Sequence, residues 1–264
     1  MAAVKDILRF LDEKAPFESQ MSFDNSGFLV GRGDKQVKHI LVALDITEEV
    51  ACEAAGLGAD LIVSHHPVIW EGAKSVTDGS ILGRKLLTLI QNDIAAICAH
   101  TNLDAAQGGV NDALAAALGL RDTQLLKPYG TYRDGTPYGI ERIGTLPGEG
   151  LALKEFAAQV KAKLGANGVR YVDAGRPVRR VAVGGGSCSG SMKDVLDAGC
   201  DTFVTADVKY DGFLEARAMG LNLIDAGHFP TENVVCPVLI SWLKQRFCDM
   251  EITFSAHREV FSYL

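Results

Sequence analysis

None of the six cysteines forms a C-x-x-C pair, and the 28 glycines follow no three-residue period, which removes thiolate zinc clusters and collagen. Positive charge is not in excess either. Twenty-six basic against thirty-three acidic side chains leave a net charge of −7, and an acidic surface repels phosphate backbones, so non-specific nucleic-acid binding is a poor fit. Long apolar runs are missing, so no segment is predicted to span a membrane. The first residues carry Asp6, Asp12 and Glu13 and lack the apolar stretch of a signal peptide. Several cysteines lie inside apolar runs, as Cys98 does in Ala95–Ala99, and read as reduced, buried thiols. These absences together predict a soluble, cytoplasmic globular protein of one large or two modest domains.

What is present is an alternation of short β-branched runs with helical stretches. Helical spacing over 4–14 is followed by a strand over 39–44, a helix opened by Thr47 and closed by Gly56 or Gly58, and a strand at 61–63. A helix near 80–92, a strand at 94–99 and a helix over 109–118 complete this half. The texture changes from Lys127 to Gly150, where glycine, proline and tyrosine gather, and we place a domain boundary near 125. Alternation then resumes: strands near 139–145, 169–173, 179–183, 201–205 and 221–225, with helices at 151–164, 190–198 and 208–219. A long helix is predicted from about 230 to Phe247, then a strand over 251–254. The expected fold class is α/β: two similar domains with mostly parallel sheets flanked by helices and a metal site between them. The first domain covers 1–125 and is completed by 233–264, and the second covers 126–232.

Ligand groups in such sheets gather at the carboxyl ends of strands. Asp45, His65, His66, His100 and Asp104 all follow apolar runs directly. Only six histidines exist, and four fall in three short clusters with carboxylates or beside them: Ser64-His65-His66-Pro67, His100-Thr101-Asn102-Leu103-Asp104 and His228-Phe229-Pro230-Thr231-Glu232. Imidazole with carboxylate suits zinc, iron, manganese or nickel. Any one cluster alone would be read as hydrogen-bonded or as answering a helix dipole, but three at equivalent strand ends favour metal. His39 and His257 lie outside the clusters and are expected to be bystanders. The glycine run Gly184-Gly185-Gly186 lacks the Lys-Ser/Thr of a phosphate loop and reads as a tight strand-to-helix turn.

The chain resembles the GTP cyclohydrolase 1 type 2 homologues, the Nif-three-like dinuclear metal-centre proteins. The resemblance rests on Phe23-Asp24-Asn25-Ser26-Gly27, Ala43-Leu44-Asp45-Ile46-Thr47 and the three histidine clusters, and also on Gly108-Gly109-Val110-Asn111-Asp112 and Thr205-Ala206-Asp207-Val208-Lys209-Tyr210. It implies two divalent metal ions per subunit, of the zinc, iron or manganese class, held by His65, His66, Asp104, His228 and Glu232. It further implies a toroidal homohexamer and a hydrolase that opens the imidazole ring of GTP. The alternative is a non-enzymatic ring that handles metal or serves a regulatory role. Three positions depart from the family pattern: Phe23 stands for tryptophan, Ala206 for glycine, and Asp211 for histidine.

Overall fold

The computed structural model describes residues 2–264. It divides into two compact units, each an α/β layer structure. One unit is the chain up to Leu103 together with Cys236–Arg258, and the other is Asp104–Val235 together with Glu259–Leu264.

The first unit is built on a five-stranded sheet in the order Glu251–Phe254, His39–Ala43, Leu61–Ser64, Ala95–Cys98, Gly27–Val30. Its first three pairings are parallel and the last is antiparallel. The three central strands are buried throughout, which is why they read as unbroken apolar runs. Helices Glu48–Leu57 and Ile81–Gln91 pack against them, burying Val50, Ala51, Ala54, Leu86 and Leu89 in one cluster with Leu41 and Ile62. Thr47 caps the first of these helices by accepting the Val50 N–H at 3.2 Å, and Gly58, at φ 63°, ends it.

The second unit carries a six-stranded sheet: Arg170–Val172, Asn222–Asp225, Thr202–Thr205, Arg180–Val183, Arg142–Thr145, Arg121–Leu125. Its centre is parallel, and the pairings outside the central three strands are antiparallel. One face packs on helices Val110–Leu118 and Leu153–Leu164, and the other on Met192, Val195 and Ala216.

The division falls at 103/104, not near 125. Leu114, Ala115 and Leu118 share their core with Phe156, Val160 and Val181, so the helix Val110–Leu118 belongs with the second unit. The long helix predicted up to Phe247 is instead three pieces: His228–Glu232, a 3₁₀ turn at Asn233–Val235, and Cys236–Arg246. Pro237 explains the break, because a proline has no N–H to give and its ring crowds the carbonyl four residues back. Among the described residues no helix is long and apolar enough to cross a membrane.

Candidate metal centre

In the first unit, Ala43 pairs with Ser64 and Ser64 with Cys98, so the residues after these parallel strands emerge along one edge. Those residues include Asp45, His65, His66 and His100. Adjacent side chains on a strand point to opposite faces. Here the strand stops at Ser64, whose hydroxyl donates to the His66 carbonyl at 2.8 Å and helps turn the chain. The His65 and His66 rings consequently lie 4.9 Å apart between centroids, and the His100 ring lies 5.1 and 5.4 Å from them. These three imidazoles form a group that could hold a metal ion, with ligand nitrogens within 4.8 Å of one another.

Each ring is held by its Nδ1. His65 Nδ1 lies 2.8 Å from the Ala99 carbonyl, His66 Nδ1 2.7 Å from Asp45, and His100 Nδ1 2.8 Å from Asp24. A carbonyl oxygen only accepts, so His65 Nδ1 carries the proton and Nε2 is the nitrogen that could coordinate a metal ion. The Asp24 side chain is itself buried and accepts further hydrogen bonds from Ser26, the Thr101 hydroxyl and the Thr101 N–H. Burial pushes its pKa up, but the hydrogen bonds from His100, Thr101 and Ser26 outweigh that and hold it well below the usual carboxylate range.

In the second unit, the register of Val183 with Val204 and of Thr205 with Asp225 brings three strand ends together. Gly184–Gly186, Asp207 and His228 follow them. His228 Nδ1 lies 2.6 Å from Asp207 and its Nε2 lies 3.0 Å from Glu232. Asp207 holds its ring from a left-handed backbone, φ 54°, which non-glycine residues rarely adopt. Glu232 and Asp104 are both buried, and their carboxylate oxygens come within 4.8 Å of each other. Asn111 braces this corner: its Nδ2 donates to the Asp104 carbonyl at 3.3 Å and its Oδ1 accepts from the Gly185 N–H at 2.8 Å.

The glycine run does not cradle phosphate. The N–H groups of Gly184, Gly185 and Gly186 already donate to the Val204 carbonyl, Asn111 and Thr231. Its role is closeness. A Cβ on Gly186, which sits at φ 63°, would stand 2.1 Å from Glu232 Oε1 and 3.2 Å from His228 Nε2. Burial, then the nearby Glu141, Asp104 and Glu232, push the thiol pKa of Cys188 in the same loop well up.

Residues 2–259 match the family model described as Duf34/NIF3 (NGG1p interacting factor 3). The chain belongs to the DUF34/NIF3 family. A Clostridium perfringens protein named GTP cyclohydrolase 1 type 2 homolog is 34% identical over 97% of this chain and 96% of its own length. A Streptomyces coelicolor protein of the same name is 41% identical over 88% of this chain and 82% of its own. Among solved structures, a Bacillus cereus protein described as related to NIF3 is 27% identical, with a TM-score of 0.92 over 100% of this chain and 99% of that one.

Within this family fold, the five residues expected as ligands divide between the units. His65 and His66 stand in the first with His100, and Asp104, His228 and Glu232 in the second. Sequence reading placed His100 at a strand end but left it out of the ligand set; its ring nevertheless completes the imidazole trio. Of the carboxylates that orient the rings, Asp45 was visible as a strand-end residue and Asp24 and Asp207 only as motif residues, because nothing in spacing says which histidine an aspartate will meet. His257, expected to be a bystander, places Nε2 3.4 Å from Asp45 Oδ2, on the carboxylate that holds His66. His39 is buried away from the clusters, its Nε2 2.8 Å from the Thr253 hydroxyl. Asp211 is exposed in the first turn of helix Tyr210–Met219.

Proposed function

We propose that this DUF34/NIF3 protein is a metal-dependent hydrolase. Two divalent ions of the zinc, iron or manganese class would be held by His65, His66, Asp104, His228 and Glu232. The observation that carries the reading is the tethering of Nδ1: His65 to a carbonyl, His66 and His228 to carboxylates. Such partners fix the ring and raise its basicity, and they typically accompany metal-ligating histidines. The donor set agrees, since imidazole and carboxylate without thiolate suit these ions, and Gly186 leaves room for Glu232 where any Cβ would collide.

When bound, such ions acidify coordinated water and stabilise charge on the attacked group. Asp45, Asp207 and the Ala99 carbonyl would keep three imidazoles aimed while the ions are loaded. Asn111 would hold the Asp104 backbone against the Gly185 loop. The name of the relatives points to GTP, and hydrolytic opening of its imidazole ring is the reaction we assign to this chain. We propose also that it works as a cytoplasmic, toroidal homohexamer. The test is turnover: GTP consumed by the metal-loaded protein, stopped by chelator and restored by adding the metal back. No turnover at full metal occupancy would leave the metal-handling ring as the reading to pursue.

A further inference from the structure

Two large aromatic side chains lie open to solvent beside the imidazole trio. Phe23 is 66% exposed and Trp70 50% exposed. Their ring centroids are 6.2 Å apart and tilted by 45°, so the two rings meet each other directly in one exposed aromatic patch. Trp70 in turn meets the edge of His100 at 5.5 Å. Exposed apolar residues scattered singly need no explanation. These are paired, and both are tied to the trio.

The ties run through the residues that follow Phe23. Asp24 holds His100 and Thr101, and Asn25 donates its Nδ2 to the Ile69 carbonyl at 2.7 Å, one residue before Trp70. Four consecutive positions, Phe23 to Ser26, therefore fix one aromatic ring, the strand-end histidine and the loop bearing the other aromatic ring. The Asp24 carboxylate at the centre of this arrangement is wholly buried. A platform built this way loses little freedom when something flat stacks on it.

We infer that Phe23 and Trp70 form a stacking platform for a planar aromatic heterocycle, a nucleobase or a ring of similar size, held beside His100. The platform's place as a substrate subsite rests on the metal-centre reading; its binding of a flat ring does not. Stacking uses the π-face, so the platform is blind to base edges. Adenine and guanine should bind alike, and a sugar phosphate without a base should not bind there.

The chain has two tryptophans, Trp70 and Trp242. In the Trp242→Phe variant the tryptophan emission comes from Trp70 alone. Titration with AMP and with GMP should quench it saturably, with dissociation constants within about threefold of each other, while ribose 5-phosphate should not quench it. Adding Phe23→Ala should weaken AMP binding roughly tenfold, as expected for loss of one stacking partner. Phe23→Tyr should restore it to within about twofold. Metal content, measured on the same samples, should not change with position 23. Quenching by ribose 5-phosphate equal to that by AMP would overturn the platform, as would AMP binding indifferent to Phe23→Ala. A Phe23→Ala protein that loses mass by light scattering while neither nucleotide binds the parent would make the patch a contact between copies, which also overturns it. Saturable AMP quenching in a protein that holds no metal would leave the platform standing and remove the metal reading alone.

Discussion

Replacing Gly186 by alanine tests whether the glycine loop exists to let Glu232 reach an ion. The new Cβ would stand 2.1 Å from Glu232 Oε1 and 3.1 Å from its Cδ, where carbon and oxygen ordinarily keep more than 3 Å. The obstacle is the end of a flexible side chain, so the carboxylate should swing aside by about 1 Å while the fold survives. The backbone adds its own cost: at φ 63° an alanine loses about 1–2 kcal/mol relative to glycine. Gly165 isolates that second effect, since it has the same φ of 63° with nothing within 4 Å of its Cβ position. Gly165→Ala should therefore lower the melting temperature by about 2–8 °C, at 2–4 °C per kcal/mol for a chain of this size, and leave metal content intact. Gly186→Ala should melt in a similar range but lose about 10–100-fold in metal affinity, the usual result of displacing a ligand or its support. Metal analysis after dialysis and thermal melts of both variants read this out. Equal metal retention by the two would refute the claim that Glu232 is a ligand approached through Gly186.

Asp24→Asn should destabilise the protein by about 3 kcal/mol, because it removes a buried carboxylate that accepts from Ser26, His100 and Thr101. Since the folded state holds the Asp24 pKa low, its stabilisation is present above the unfolded carboxylate range near pH 4 and is lost as pH falls below it. Melts of wild type and Asp24→Asn should thus converge towards pH 2, and a constant gap would contradict the assignment. His257→Gln should weaken metal binding through Asp45 and His66, whereas His39→Gln should leave it unchanged; dialysis against graded chelator ranks the two. Chelation should lower the melting temperature by mass action, since ions that bind only the folded protein stabilise it, and an unchanged melt after verified metal loss would oppose this.

The strand-end positions were the most legible part of the candidate site. Leu61–Ser64 and Ala95–Cys98 are buried on both faces, so they read as apolar runs, and the polar residues that end them mark the carboxyl edge. Edge strands were less visible. Arg121–Leu125 is Arg-Asp-Thr-Gln-Leu with four exposed residues, which gives hydropathy nothing to detect, and Gly27–Val30 is short and only half-buried. The helix Val110–Leu118 was legible as a helix but not by its partner, because amphipathic spacing does not say which sheet a face will cover. Pro237 was the one local signal of the broken helix before Phe247, and periodicity alone ran past it. The contact of Gly186 with Glu232, 46 positions later, leaves no trace in local sequence.

Metal analysis of gently purified protein bears most directly on the central claim. Wild type should carry about two divalent ions per chain, the number that the resemblance to dinuclear metal-centre proteins implies. His65→Ala and His228→Ala should each carry fewer ions while melting cooperatively. Full metal content in both variants would place the ions elsewhere and contradict the account.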